Sequence, residues 1–398
     1  MKLPWILVTL NLPLGINLII NKMKNSLKIS LLFLALSATS CIKNEKTILD
    51  SIDISVNGKD LDQLTNAQDL VAWIDEENII SGFGGDYFFQ TSDYFESTWI
   101  QSGKLEGKVL FKDYSNIITR EGGNFNDLLI KKSNDYGQNY NVILSIPSIV
   151  IGQRNGNLVE VGNHDFGTVH FISPNRGYFF SYFHSNYPGS NEDGIKIYRI
   201  LNGEANFRAY LSDLYTGKDI YFRDKNNGFL LTHDNVQGYT NNSYVFTTSD
   251  GGYNWDGPFK NLNNIEFNRV LALSDTRVLA YGDQEQSSTN STLSISDDGG
   301  MNWQKVDCNC GDIVDLQFVD EQFGFLVSKS LADGVGQTHS LYKSIDGGAS
   351  WLKTGTHNIY GDHLAFINEK VGIATSGRTV ELTENGGNSW ELLVFPHQ

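Results

Sequence analysis

One short motif occurs four times in the second half of the chain and limits the folds that the chain can adopt. It has the form Ser/Thr-x-Asp-x-Gly-x-x-Trp and is called the box. Three boxes follow each other at intervals of 48 residues. Their sequences are TTSDGGYNW at 247–255, SISDDGGMNW at 294–303, YKSIDGGASW at 342–351 and ELTENGGNSW at 381–390.

Each position of the box has a use in a tight turn. The Asp side chain accepts hydrogen bonds from backbone N–H groups across the turn. The glycines allow the left-handed backbone conformation, and the Trp buries a large aromatic ring. An EF-hand loop needs a glutamate at its twelfth position, where the loop from Asp250 has Asn261. We therefore interpret the boxes as structural, in preference to a calcium or catalytic site. A weaker upstream copy, KKSNDYGQNY at 131–140, has Asp135 at the acidic position. The positions assigned in the four full boxes are Asp250, Gly252, Trp255, Asp298, Gly300, Trp303, Asp346, Gly348, Trp351, Asn385, Gly387 and Trp390.

A second motif alternates with the boxes. It is a large apolar residue, any residue and an acid, with a small or apolar residue six after the first. The clear copies begin at Phe222, Phe318 and Phe366, and weaker copies begin at Trp73, Phe111, Phe171 and Leu273. FRDKNNGF at Phe222 is typical of a strand, a tight turn and a returning strand. The box marks a second hairpin, so each unit holds four strands.

Seven units of this kind predict an all-β protein, a seven-bladed β-propeller of four-stranded antiparallel blades over residues 50–398. A single blade cannot bury both of its faces, so blades stack around an axis. We expect the segment 48–56 to pair with 391–395 and close the ring in the last blade.

With both motifs in view, the sequence resembles the Asp-box (BNR-repeat) propellers, and most of all the photosystem II stability/assembly factor family. The resemblance implies a role in binding or assembly, although the same architecture carries enzymes such as sialidases. A sialidase needs an Arg-Ile-Pro motif, whereas Ile146-Pro147 follows Ser145 here. Nothing marks three arginines as a substrate clamp among Arg120, Arg154, Arg176, Arg223 and Arg269.

The N-terminus predicts export. A basic segment at 23–28, an apolar run from Ile29 and small residues before Cys41 resemble a bacterial lipoprotein signal at 23–40. We predict that Cys41 is lipidated and followed by a linker at 41–49, with plain cleavage or a retained anchor as alternatives. Residues 1–22 are interpreted as an artefactual upstream segment. The expected location is the bacterial cell envelope, on an outer-membrane anchor.

The net charge and the remaining motifs favour no nucleic-acid, cofactor, metal or catalytic site. A net charge of −16 argues against nucleic acid, and no motif predicts a cofactor or a metal. His164 stands beside Asp165 in GNHDFG, which is ordinary in a loop. Cys308 and Cys310 form either a metal or redox pair or, in the interpretation that we favour, free thiols or a local disulfide.

Long loops between the second and third strands of the blades predict a binding face opposite the boxes. These loops lie at 181–194, 232–242, 282–291 and 330–339. They carry Tyr182, His184, His233, Asp234, Tyr239, Asp283 and His339. We therefore expect a monomeric, lipid-anchored, non-catalytic scaffold that binds a protein or glycan, and the alternative is a sialidase-like glycoside hydrolase with its site on the propeller axis.

Overall fold

The computed structural model describes most of the chain from residue 116 onwards and, before that residue, separate segments that each form one strand. The described residues are 8–11, 17–20, 71–73, 79–83, 87–91, 100–104, 108–112 and 116–393. The gaps within the last range are 123–125, 136, 155–156, 187–192, 213, 235–241, 261–264, 284–290, 309, 333–335, 355–362 and 377–378. The predicted lipidation site and the closing segment 48–56 lie outside them.

The described part of the chain is built of β-strands, with no helix in it. It accordingly contains no helix of the length and apolar character that crossing a membrane requires. Two compact units are distinguished, at 1–52 and 53–398. In the first unit the described residues form one hairpin of β1 (Val8–Asn11) and β2 (Asn17–Ile20).

The second unit consists, in its described residues, of seven antiparallel sheets that follow each other along the chain. Sheet 1 holds β3 (Val71–Trp73), β4 (Ile79–Phe83), β5 (Tyr87–Thr91) and β6 (Ile100–Lys104). Sheet 2 holds β7 (Lys108–Lys112), β8 (Ile117–Glu121), β9 (Leu128–Ser133) and β10 (Asn141–Ile146). Sheet 3 holds β11 (Ile149–Arg154), β12 (Asn157–Ser173), β13 (Arg176–Ser185), β14 (Gly194–Leu201) and β15 (Glu204–Ser212).

The last four sheets repeat the same four-stranded order. Sheet 4 holds β16 (Tyr215–Phe222), β17 (Gly228–Asp234), β18 (Ser243–Thr248) and β19 (Asp256–Lys260). Sheet 5 holds β20 (Arg269–Ala272), β21 (Val278–Asp283), β22 (Ser291–Ser296) and β23 (Gln304–Val306). Sheet 6 holds β24 (Asp312–Phe318), β25 (Gly324–Ala332), β26 (Gly336–Ser344) and β27 (Leu352–Lys353). Sheet 7 holds β28 (His363–Phe366), β29 (Gly372–Ser376), β30 (Thr379–Thr383) and β31 (Glu391–Leu393).

The all-β class and the four-stranded antiparallel sheets are confirmed, with sheet 3 as an exception. There β12 is long enough to pair first with β11 and then with β13, which gives a fifth strand that the sequence did not predict. Sheet 3 also lacks a box. β11 is the additional strand, so β12 to β15 correspond to the first to fourth strands of the other sheets. β14 and β15 are joined by Asn202 and Gly203 alone, both at positive φ, as a two-residue hairpin turn requires.

The box forms the turn between the third and fourth strands. In sheet 5, Ser296 Oγ donates to Asp298 Oδ1 at 2.8 Å and accepts the N–H of Gly300 at 2.8 Å. The same carboxylate accepts the N–H groups of Met301 and Asn302. The turn is therefore held by one hydroxyl and one carboxylate. Corresponding bonds occur in the boxes around Asp135, Asp250, Asp346 and Asn385.

The second motif forms the neighbouring hairpin between the first and second strands. Asp224 Oδ1 accepts the N–H groups of Asn226 and Asn227, and the carbonyl of Asn226 accepts the N–H of Gly251 in the box at 2.9 Å. The same link joins the two motifs in sheets 5, 6 and 7. Both motifs thus lie side by side at one end of sheets 4 to 7, and this end of the sheets is called the box end. The other end, where second strands lead into third strands, is called the loop end.

Alternating side chains of the first strands fill the gaps between neighbouring sheets. Tyr221 belongs to a buried cluster shared with sheet 5, whereas Phe222 belongs to a cluster shared with sheet 3. The Trp of each of the four boxes packs into the gap towards the preceding sheet. These residues are Trp255, Trp303, Trp351 and Trp390.

The first strands also connect the sheets in sequence. β7 contacts β12, β12 contacts β16, β16 contacts β20 and β24 contacts β28. Sheet 5 contacts sheet 6 through β21 and β24, and β28 of the last sheet contacts β3 of the first.

Candidate functional site

A cavity of about 440 Å³ lies among the first strands at the box end. Strands of five successive sheets contribute to its wall, from β7 to β24. Much of the wall is aromatic or aliphatic, with Phe111, Phe171, Phe222 and Phe318 around it. A cavity of this size and composition suits a small ligand or one group of a larger one.

Three polar side chains of the wall occupy equivalent positions, each directly before the Phe that starts the second motif in its sheet. His170 Nε2 donates to the carbonyl of Phe222 at 3.0 Å, and the Tyr221 hydroxyl donates to the carbonyl of Ala272 at 3.3 Å. Gln317 both donates to and accepts from the backbone of Phe366. All three are buried. Their hydrogen bonds therefore join one sheet to the next.

Charged residues surround the cavity at its rim. Asp320 Oδ1 accepts two N–H groups of its own hairpin. Arg223 binds the carboxylates of Asp224 and Asp275. Glu321 is exposed. Asp320 is exposed too, but its carboxylate is already bonded in its own turn.

Acids of the first strands also serve the contacts between sheets. Asp219 Oδ2 accepts the N–H of Val270, and Asp315 Oδ2 accepts the N–H of Leu364. Asp219 and Asp315 are 1% and 5% exposed, so their carboxylates lie inside the structure.

One of the residues predicted for the binding face, His233, also joins neighbouring sheets, whereas the bond of Asp234 to Asn242 lies within sheet 4. His233 is buried, its Nε2 donates to the carbonyl of Phe267 at 2.9 Å, and its Nδ1 lies 3.2 Å from Glu266 Oε1. Lys218 Nζ is 2.8 Å from the same oxygen. Burial and then Lys218 lower the pKa of His233. Asp234 accepts the side-chain amide of Asn242.

Tyr182 and His184 lie together at the loop end of sheet 3. Their ring centroids are 4.6 Å apart. Asp165 is directly opposite Tyr182 in the neighbouring strand. Burial raises the pKa of the Asp165 carboxyl, while His184 and then Arg120 oppose the shift.

His164 and Asp165 lie within strand β12, not in a loop as the sequence suggested, so neighbouring side chains point to opposite faces. His164 Nδ1 lies 2.8 Å from the hydroxyl of Ser181. Burial, and then Lys196, lower the pKa of His164 to about 4. The two residues therefore do not form an acid–base pair.

The remaining predicted residues of the binding face are spread over other sheets. His339 lies in β26 opposite Lys329, and Asp283 ends β21. Tyr239 lies outside the described residues. The described binding-face residues therefore lie at the loop end, and none of them lines the cavity at the box end.

Cys308 and Cys310 are joined by a disulfide, which agrees with one of the alternatives open from the sequence. Cys310 is buried in the cluster between sheets 5 and 6. No group of three or more His, Cys, Asp or Glu side chains suited to a metal ion occurs among the residues that the structure describes.

The position that supplies the polar wall of the cavity was missed in the sequence because it holds His170, Tyr221, Leu271 and Gln317 in successive sheets. No residue type repeats there. The one available signal was the place itself, immediately before the start of the second motif in sheets 3, 4 and 6 and two residues before the assigned start, Leu273, in sheet 5.

Compared by sequence, the chain matches no protein-family model and no curated protein. Compared by structure, it is similar to a GH74 xyloglucanase from Xanthomonas campestris, with a TM-score of 0.51 and 10% identity over 85% of this chain and 54% of that one. Dipeptidyl peptidase 4 from Porphyromonas gingivalis gives a TM-score of 0.50 and 9% identity, over 81% and 59% of the two chains. The chain thus spans between half and three fifths of the length of these two structures. The likeness shows a propeller-type fold alone.

Proposed function

We propose that the chain is an exported, lipid-anchored, seven-bladed propeller of the Asp-box type that binds a protein or glycan partner in the cell envelope without catalysis. One observation carries the binding role. The buried polar side chains in the wall of the cavity, His170, Tyr221 and Gln317, form their hydrogen bonds with the backbone of the next sheet. The wall that remains for a ligand is largely apolar, with four Phe rings in it, which favours apolar contact and stacking over acid–base chemistry.

The proposed count of seven blades rests on the seven successive sheets and on the contact of β28 with β3. In a closed ring the last sheet covers the face that the first would otherwise expose to water. An experimental structure at a resolution that separates the sheets tests this directly. Six sheets around the axis, or an open array, would contradict it.

The proposed ligand site is the cavity at the box end, and the matched control is the loop end. Leu271→Trp fills the cavity from a position where no side-chain hydrogen bond between sheets is lost. His184→Ala changes the half-buried ring pair at the loop end. We expect Leu271→Trp to abolish capture of envelope proteins or glycans on an array, and His184→Ala to retain it. The opposite pattern would move the site to the loop end, where Tyr182, His339, Tyr239 and Asp283 are proposed as further contacts.

The proposed anchor is Cys41, and its test is independent of the ligand. The full chain is produced in a Gram-negative bacterium that is fed an alkyne-tagged fatty acid. We expect the wild type to carry the tag and to sediment with the outer membrane, and Cys41→Ala to lack the tag. An unlabelled wild-type protein would contradict lipidation.

The alternative function is hydrolysis of a glycan at the axis. The exposed carboxylate at the cavity rim, Glu321, is its simplest candidate acid. We expect no turnover of fluorogenic glycosides, sialosides included. Turnover that is lost in Glu321→Gln and retained in an exposed control, Glu391→Gln, would replace the scaffold proposal with the hydrolase.

A further inference from the structure

Three arginines converge in the gap between sheets 3 and 4 at the box end, and form what is called the arginine cluster. Arg176 begins β13, Arg199 lies in β14 directly opposite Tyr178, and Arg208 lies in β15. Paired residues of neighbouring strands present their side chains on the same face of a sheet. Arg208 stands at a register shift between β14 and β15, and a bulge of this kind redirects a side chain.

Three guanidinium nitrogens of the arginine cluster, on Arg199 and Arg208, lack acceptors. Arg208 is 8% exposed, and its Nε and Nη2 are buried without a hydrogen-bond partner among the described residues. The Nε of Arg199 is likewise buried without a hydrogen-bond partner. A buried charge without a partner is strongly destabilising and is therefore rare in proteins.

The described residues at the facing edge of sheet 4 supply no counter-ion to these groups. The motif carboxylates of that sheet, Asp224 and Asp250, are bonded to their own turns. Among the described residues no ion pair joins a carboxylate to Arg199 or Arg208. Burial, and then Arg199, lower the pKa of Arg208, as expected where like charges meet without an anion.

Two tyrosines complete the walls. The Tyr253 ring lies over the guanidinium of Arg208, 4.0 Å from its carbon to the ring centroid, and is 57% exposed. The Tyr178 hydroxyl donates to the carbonyl of Lys225 at 2.8 Å and accepts a hydrogen bond from Arg176. The cluster therefore lies behind one exposed ring, which gives an anion a short path from solvent.

We propose that the arginine cluster is a binding site for an oxyanion: a carboxylate, sulfate or phosphate group. Planar guanidinium forks match the oxygens of such groups, and an oxyanion supplies the acceptors that the buried N–H groups lack. This site goes beyond the proposed function. It lies between sheets 3 and 4 and is separate from the cavity among the first strands. It depends neither on the number of blades nor on lipidation.

The test is the thermal midpoint of the protein without its signal segment, measured in acetate, sulfate and phosphate at constant ionic strength set with chloride. Arg208→Met removes the buried charge, Arg199→Met removes its neighbour, and Lys305→Gln removes an exposed charge as the matched control. Acetate and the two tetrahedral anions distinguish a planar from a tetrahedral ligand. Calorimetry of the preferred anion then gives its affinity.

We expect at least one oxyanion to raise the midpoint of the wild type and of Lys305→Gln well above the value in chloride. Arg208→Met and Arg199→Met should each weaken binding by roughly tenfold or more. In chloride alone, Arg208→Met should match or exceed the wild type in stability, because it removes an unpaired buried charge. If Arg208→Met fails to fold, Arg199→Met still decides. Equal midpoints of the wild type in all anions and chloride would overturn the proposal.

Discussion

At the scale of single residues, the hydroxyl at the first position of the box is used twice. Thr248 Oγ1 donates to Asp250 Oδ1 at 2.9 Å and accepts the N–H of Gly252 at 3.1 Å. Gly252 is buried and at φ 86°, a backbone conformation that side chains disfavour. The hydroxyl is therefore the acceptor for a donor that water does not reach.

Thr248→Val keeps the shape of this side chain and removes the hydroxyl. We expect it to lower the free energy of unfolding by about 1–3 kcal/mol, because the N–H of Gly252 is left buried without an acceptor. The neighbouring exposed residue gives a matched control, Ser249→Ala, which we expect to change stability by less than about 0.5 kcal/mol. Urea titrations followed by Trp fluorescence measure both. Equal losses in the two variants would contradict this role of the hydroxyl.

Much of the box was predictable from the sequence, since its Asp, Gly and Trp positions each have one dominant structural use. The second motif was less predictable. In sheet 5 its acid position was assigned to Asp275, but Ser274 Oγ accepts the N–H groups of Thr276 and Arg277 instead. Asp275 binds Arg223 of the preceding sheet. A serine hydroxyl can cap such a turn in place of a carboxylate, although more weakly, so residue type alone did not fix the register.

At the scale of strands and sheets, polar side chains of the first strands join one sheet to the next at recurring places. Gln317 is the clearest example, because its amide bonds both the N–H and the carbonyl of Phe366 in sheet 7, at 2.9 and 3.0 Å. The ring of Phe325 stacks on that of Phe366 with centroids 3.5 Å apart. The contact between sheets 6 and 7 thus combines apolar area with fully paired backbone groups.

Gln317→Leu retains the size of the side chain and leaves both backbone groups of Phe366 unpaired. We expect a loss of about 2–5 kcal/mol in the free energy of unfolding, since two buried groups lose their partners. Gln322→Leu, at an exposed position one hairpin away, is the matched control and should remain within about 0.5 kcal/mol of the wild type. Hydrogen exchange at the Phe366 amide provides the local readout. Unchanged protection of that amide in Gln317→Leu would show that the bond does not matter.

The placement of these bridges explains why the cavity at the box end was missed. A search by motif finds residues that recur, whereas the positions that line the cavity change type from sheet to sheet. The loop end was favoured in the sequence because its connections are long. His233 shows the weakness of that argument, since a residue beside a long loop lies buried between two sheets.

At the scale of the whole molecule, the repeated box carboxylates together affect how stability depends on pH. Four box carboxylates have lowered pKa values, and they lie in sheets 2, 4, 5 and 6. At Asp298 the side-chain amide and backbone N–H of Asn302 are the main causes, and at Asp135 those of Asn139. At Asp250 and Asp346 burial opposes the shift, but hydrogen bonds to the carboxylate outweigh it.

The pH dependence of these groups has a definite sign. A carboxyl group whose pKa is lower in the folded than in the unfolded chain stabilises the fold above the unfolded value of about 3.9. That contribution is lost as the pH falls through the folded pKa. His164 acts in a different range, because its pKa of about 4 lies below the unfolded value of about 6.5. Its contribution is lost earlier, as the pH falls from about 6.5 to 4.

We therefore expect the quadruple variant of the box carboxylates to flatten the decline of stability below about pH 4 and to leave the decline between about pH 6.5 and 4 unchanged. Asparagine is the suitable replacement because Asn385 already occupies this place and accepts the N–H of Ser389. The variant is Asp135→Asn, Asp250→Asn, Asp298→Asn and Asp346→Asn. The control changes four exposed carboxylates instead: Glu204→Gln, Asp256→Asn, Asp307→Asn and Glu391→Gln. Both sets raise the net charge by the same amount, so long-range repulsion changes equally. Urea midpoints across the acid range distinguish the two, and an equal flattening in both sets would assign acid sensitivity to net charge in place of the boxes.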